Sequence, residues 1–126
     1  MPRITTTTNI YLNRERKYRM FVDMQKAVEI IPFEKGEFLM ADFQDESFVL
    51  FGANPSEPCV SVELVILQKV YDIVGPETLE KVLVRLSGIA AEHCGIPEDR
   101  VFTYVRNAPV WVACGVNIDG NLLKLE

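Results

Sequence analysis

The chain has little of what most catalytic signatures are made from. It holds one histidine and one tryptophan in 126 residues. Nothing in the sequence resembles a nucleophile triad or a phosphate-cradling glycine-rich loop. The three cysteines, Cys59, Cys94 and Cys114, form no CxxC and no metal-ligand spacing. An odd count with no apolar leader at the N-terminus implies reduced thiols and a cytoplasmic address. No apolar run approaches the length that spans a bilayer. The net charge is −5 and no Lys/Arg run stands alone, which argues against nucleic acid as a partner. The basic stretch Arg14–Arg19 opens a helix and reads as a solvated face.

What is present suits one domain over 1–126 with an ordinary core, at 48% hydrophobic and 25% charged residues. The chain begins Met1-Pro2. Loss of Met1 would make Pro2 the terminus and its ring nitrogen a secondary amine. An α-amino group titrates near neutrality, at about 7.7–8.0. Burial or nearby cations would lower that further, so such an amine moves protons without a histidine. With Met1 in place the same nitrogen is an amide and has no basicity.

Residues 2–8, with four successive β-branched threonines, predict a first strand. Asn13 is a candidate N-cap for a helix over about 14–31. Its apolar stripe is Met20, Phe21, Met24, Ala27, Val28 and Ile31, and Pro32 ends it. Residues 37–43 predict a second strand and 48–51 a short extended segment. Gly52, Asn54, Pro55, Ser56 and Pro58 then make a loop.

Residues 59–67 alternate most cleanly. Val60, Val62, Leu64 and Ile66 share one face; Ser61, Glu63, Val65 and Leu67 share the other. Pro76 opens a second helix, with Leu79, Val82, Leu83, Leu86, Ile89 and Ala90 as its stripe, and Gly95 and Pro97 end it. His93 falls at its last turn, a structural position. Residues 101–106 and 110–113 predict further strands, and the tail from Gly115 carries turn signals at Asn117, Asp119-Gly120 and Asn121.

Residues 2–43 and 59–106 are therefore two β-α-β units of similar length. Together they predict an α+β fold, a four-stranded sheet with both helices on one face. The other face, carrying Thr, Ser, Val and Glu, is left bare and argues for an oligomer.

Three stretches carry a family resemblance. Phe51-Gly52 through Ser56-Glu57-Pro58-Cys59 resembles the FGG-SSEPC loop of macrophage migration inhibitory factor and D-dopachrome tautomerase. Gly95-Ile96-Pro97-Glu98-Asp99-Arg100-Val101-Phe102 resembles that family's I-x-P-D-R-V-Y segment. Met1-Pro2 and Thr8-Asn9 occupy matching places, in the same order.

The resemblance implies the tautomerase fold, assembled as a homotrimeric barrel with an active site at each subunit interface. It implies keto–enol isomerisation of an α-keto acid such as phenylpyruvate, or of a dopachrome-type substrate. Pro2 would be the general base, with no metal and no cofactor. It also leaves room for secretion without a signal peptide. The alternative is a non-catalytic trimer of the same fold that acts by binding a partner.

The resemblance places substrate contacts at Lys35, Leu67, Phe102, Tyr104 and Arg106. Several depart from the family pattern. The family's site lysine aligns with Pro32 or Phe33, leaving Lys35 as the nearest ammonium. Its tyrosine is Phe102 and its asparagine is Tyr104. Its isoleucine is Leu67, and the second cysteine of its CxxC is Val62. Its C-terminal V-G-W-N becomes Ala113 to Asn117, with Trp111 too early, so the pocket wall is expected to differ.

Overall fold

The computed structural model describes residues 1–118; the turn signals at Asp119-Gly120 and Asn121 lie outside the described residues. Strand β1 (Arg3–Thr8) leads to helix α1 (Arg14–Val28) and returns as β2 (Met40–Gln44). The second unit is β3 (Val60–Leu67), a short helix α2 (Gln68–Val74), the long helix α3 (Pro76–Cys94) and β4 (Val101–Ala108). A ribbon of β5 (Val112–Ala113) and β6 (Val116–Asn117) follows.

The sheet order is β2-β1-β3-β4. Each outer strand runs parallel to its neighbour, because a helix carries the chain across between them. The two units meet along the antiparallel pair β1–β3, where Thr5 faces Glu63 and Arg3 faces Val65.

One face of the sheet is the core. Ile4, Val62, Leu64 and Ile66 are fully buried under Met20, Met24, Leu86 and Ile89 of the helices. That is the face the alternation in 60–67 assigned to the helix layer. The opposite face is uncovered, with Phe102 60% and Tyr104 43% exposed.

Local chemistry sets the ends of the elements. Asn13 Oδ1 accepts from the Arg16 amide at 2.8 Å, the side-chain cap expected of that residue. Gly95, at φ +66°, takes the left-handed conformation that closes α3.

Several elements differ from the sequence expectation, among them β4, which runs on to Ala108 past 106, and β5, which starts at Val112 rather than 110. Helix α1 stops at Val28, short of the expected 31, and the chain turns through Ile30 to Glu34. The second strand begins at Met40 rather than 37, because residues 36–38 form a 3₁₀ turn. Helix α2 was not foreseen: Leu67 offers no side-chain cap, and the segment is seated by burial of Val70.

Candidate functional site

The turn after α1 determines what lies beside the N-terminus. Phe33 is held at φ +74°, a costly conformation for a bulky residue. The turn is latched to α1 at two points. Gly36 N donates to Glu29 Oε2, and Gln25 Nε2 donates to Gly36 O, both at 3.1 Å. The approach is so close that a Cβ on residue 36 would meet the Gln25 carbonyl oxygen at 2.7 Å, so glycine is required there.

This latch turns Glu34 inward. Its side chain is 1% exposed, and Oε2 accepts from the Met1 ammonium at 2.6 Å. A buried carboxylate needs such a partner. Sequence reasoning missed Glu34. A glutamate just past a helix reads as a solvated residue, and its contact spans 33 positions.

Pro2 is buried at the head of β1, where its carbonyl accepts from Met40 N at 3.2 Å. Beside it opens a cavity of about 670 Å³ lined by Met1, Pro2, Arg3, residues 37–40 and residues 111–114. Its walls are largely apolar: Phe38, Leu39, Met40, Trp111, Val112 and Ala113. Trp111, placed too early for the family pattern, thus contributes a wall through β5, and Cys114 borders the same space.

None of the other expected site residues is among those lining this cavity within one chain. Lys35 is half-buried at the start of the 3₁₀ turn, is not among the residues lining the cavity, and contributes a backbone carbonyl to Phe38 N. Leu67 is buried at the end of β3. Phe102, Tyr104 and Arg106 stand together on the bare face of β4.

Glu63 organises that face. Its Oε2 accepts from Tyr104 Oη at 2.8 Å and from Arg106 at 3.4 Å. The hydrogen bond to this carboxylate pushes the Tyr104 phenol above its ordinary value of 10, so it is a proton donor at neutral pH. Arg106 therefore makes an ion pair within its own chain. Glu63 thus has two partners.

Asp42 and Asp45 are both engaged. Asp42 accepts from Arg3 at 2.9 Å and Thr5 at 2.7 Å. Asp45 accepts from Leu12 N at 2.9 Å and from Lys17 at 3.0 Å, which holds its carboxyl below the ordinary 3.8. His93 has the structural place expected, with Nε2 2.7 Å from Asp23 across α1 and α3. No cluster of metal-ligating side chains occurs among the described residues, and none of their helices is long and apolar enough to cross a membrane.

No protein-family model and no curated protein matches this chain. Solved structures do. MIF2 of Leishmania major superposes with a TM-score of 0.80 at 18% identity, covering 93% of this chain and 97% of that one. The macrophage migration inhibitory factor homologue of Prochlorococcus marinus gives 0.75 at 16%, covering 91% and 97%. A third, a protein solved after inactivation by 2-oxo-3-pentynoate, gives 0.74 at 17%, covering 94% and 98%.

The likeness establishes the fold: a mixed α+β sheet of the tautomerase type, as read from the sequence motifs. In particular it is the fold of macrophage migration inhibitory factor.

Proposed function

We propose that this chain is a tautomerase of the macrophage migration inhibitory factor kind, acting on an α-keto acid or a dopachrome-type carbonyl compound. Pro2 is its general base once Met1 is removed. The supporting observation is the position of Pro2: buried, at the head of a central strand, bordering a 670 Å³ apolar cavity in this fold.

The neutral amine takes a proton from the carbon beside the carbonyl. The C–H electron pair becomes the C=C bond, the carbonyl oxygen gains charge, and the ammonium returns the proton to give the enol. The chemistry calls for no metal or cofactor. The working assembly is a homotrimer in which Phe102, Tyr104 and Arg106 of a neighbouring copy face the cavity, and Leu67 backs it. The Tyr104 phenol, kept protonated, would donate to the developing oxyanion by turning its one O–H away from Glu63. Lys35 reaches the substrate only if its turn re-routes. The protein acts in an aqueous compartment, the cytoplasm or the outside of the cell.

The test is phenylpyruvate tautomerisation by protein whose intact mass lacks Met1, beside Pro2→Gly. Turnover lost in the variant supports the reading. Turnover unchanged in the variant, or absent from the processed wild type with both phenylpyruvate and its methyl ester, defeats it. A second readout is reaction with 2-oxo-3-pentynoate: the amine adds to the alkyne, and the adduct maps to the N-terminal peptide.

A second reading is favoured by one observation. The Met1 ammonium is seated on a buried carboxylate, so the unprocessed terminus has a place in the fold. In that form the protein is a non-catalytic trimer that binds a partner. An intact mass retaining Met1, with no turnover, selects it.

A further inference from the structure

Among the described residues, the charged groups near the N-terminal amine can be assigned, and their balance is negative. Glu34 is buried, with Oε2 2.6 Å from the Met1 nitrogen. Three covalent bonds separate that nitrogen from the nitrogen of Pro2, which keeps Pro2 N within about 7 Å of the carboxylate. When Met1 leaves, its ammonium leaves with it, and the space it filled opens between Glu34 and Pro2.

A base must be neutral to accept a proton, so the reactive form of the site holds an uncharged amine and an unbalanced Glu34. Glu37 adds a second carboxylate to the cavity wall. Among the described residues, the one cation left lining the cavity once Met1 is gone is Arg3, and it is committed to Asp42 at 2.9 Å. Arg106 of an apposed copy would arrive already paired with its own Glu63. Lys35 is not among the lining residues. The remaining walls, Phe38, Met40 and Trp111 among them, suit an apolar or aromatic body.

Building on the reading of Pro2 as the reactive amine, we propose that Glu34 selects substrate charge: the site takes a neutral carbonyl compound, an ester, ketone or aldehyde, in preference to a free α-keto carboxylate. A carboxylate next to the reacting carbonyl would approach a like charge across the space that Met1 vacates and be repelled by it. An uncharged carbonyl compound meets no such barrier. Glu34 acts through the field at the amine and is not itself a catalytic residue.

The experiment compares labelling of the Met1-free protein by 2-oxo-3-pentynoate and by its methyl ester, followed by intact mass. The ester-to-acid rate ratio is divided by that of a free Pro-Arg-Ile-Thr peptide, which removes intrinsic electrophilicity. The wild type is expected to favour the ester on the order of tenfold beyond the peptide. Glu34→Gln should bring the ratio back to the peptide value.

A wild-type ratio equal to the peptide's overturns the proposal, as does a ratio unmoved by Glu34→Gln. Absence of any labelling in processed protein overturns it too. If Glu34→Gln does not fold, the wild-type ratio and its narrowing in Glu37→Gln decide. Phenylpyruvate and its methyl ester are then assayed for turnover. Discrimination in labelling with no turnover of either removes the isomerase reading and leaves charge selection standing.

Discussion

Arg100 ties together the segments that carry the family resemblance, and removing it has a calculable cost. Its guanidinium donates to the carbonyls of Phe51 at 3.0 Å, Asn54 at 3.2 Å, Glu57 at 2.9 Å and Pro58 at 3.1 Å. It also lies 4.8 Å over the Phe51 ring, which packs 4.6 Å from Phe102. The bond to Phe51 is partly sheltered and contributes about 1.5 kcal/mol; the three at the surface contribute about 0.5 kcal/mol each. The ring contact adds about 0.5 kcal/mol. Allowing for the loop's recovered freedom, Arg100→Ala should cost about 3 kcal/mol, a fall of about 10 °C in Tm for a chain of this size.

Arg100→Lys should recover less than half of that, because an ammonium cannot reach four carbonyls spread around a planar fork. Urea unfolding measures the energy, and hydrogen exchange over residues 49–59 locates it. A loss under 1 kcal/mol for Arg100→Ala refutes the reasoning. So would a lysine variant as stable as the wild type.

Two further outcomes concern titrating groups. The Asp45 carboxyl is held low by Leu12 N and Lys17, so its stabilising contribution is complete above 3.8 and is lost as pH falls through its lower folded value. Asp45→Asn should therefore be less stable than wild type at pH 7, with the gap closing in acid; a gap constant with pH would contradict this. Burial pushes the Cys94 thiol up to about 11, against the pull of Arg16. Its share of stability holds below the ordinary 9.0 and fades as pH rises toward 11. At pH 8 a thiol reagent should modify exposed Cys114 first and reach Cys94 and buried Cys59 only on unfolding, read by peptide mass.

The motifs were legible in the sequence for a reason the structure makes plain: they touch one another. Asn9 donates to Glu57 O at 2.9 Å and to Val49 O, and its Oδ1 accepts from Cys59 N at 3.0 Å. Arg100 closes the same loop from the other side. These bonds run to backbone carbonyls and amides, so they demand particular residues at particular places and leave a local signature. The alternation of 60–67 was legible for a similar reason, since one face of β3 is wholly core.

The N-terminal site was half legible. Pro2 is marked by its place in the chain. Its charged neighbour is not, because a turn of unusual geometry at Phe33 and a glycine pressed against α1 bring Glu34 inward. Lys35, one position away, was chosen on proximity along the sequence, which does not tell which of two adjacent side chains enters the core. Helix α2 escaped for want of a cap, and Trp111 because a two-residue ribbon has no periodicity to read.

The nitrogen of residue 2 owes its location to no side chain. It is pinned by a ladder: Arg3 to Thr7 paired with Met40 to Gln44 on one flank, and Arg3 to Thr8 paired with Val65 to Val60 on the other. Main-chain bonds of that kind are indifferent to amino-acid identity. Substitution can thus redraw the charge and walls around this atom almost without limit while its coordinates stay put, and chemistry at this spot is free to drift faster than the architecture that carries it.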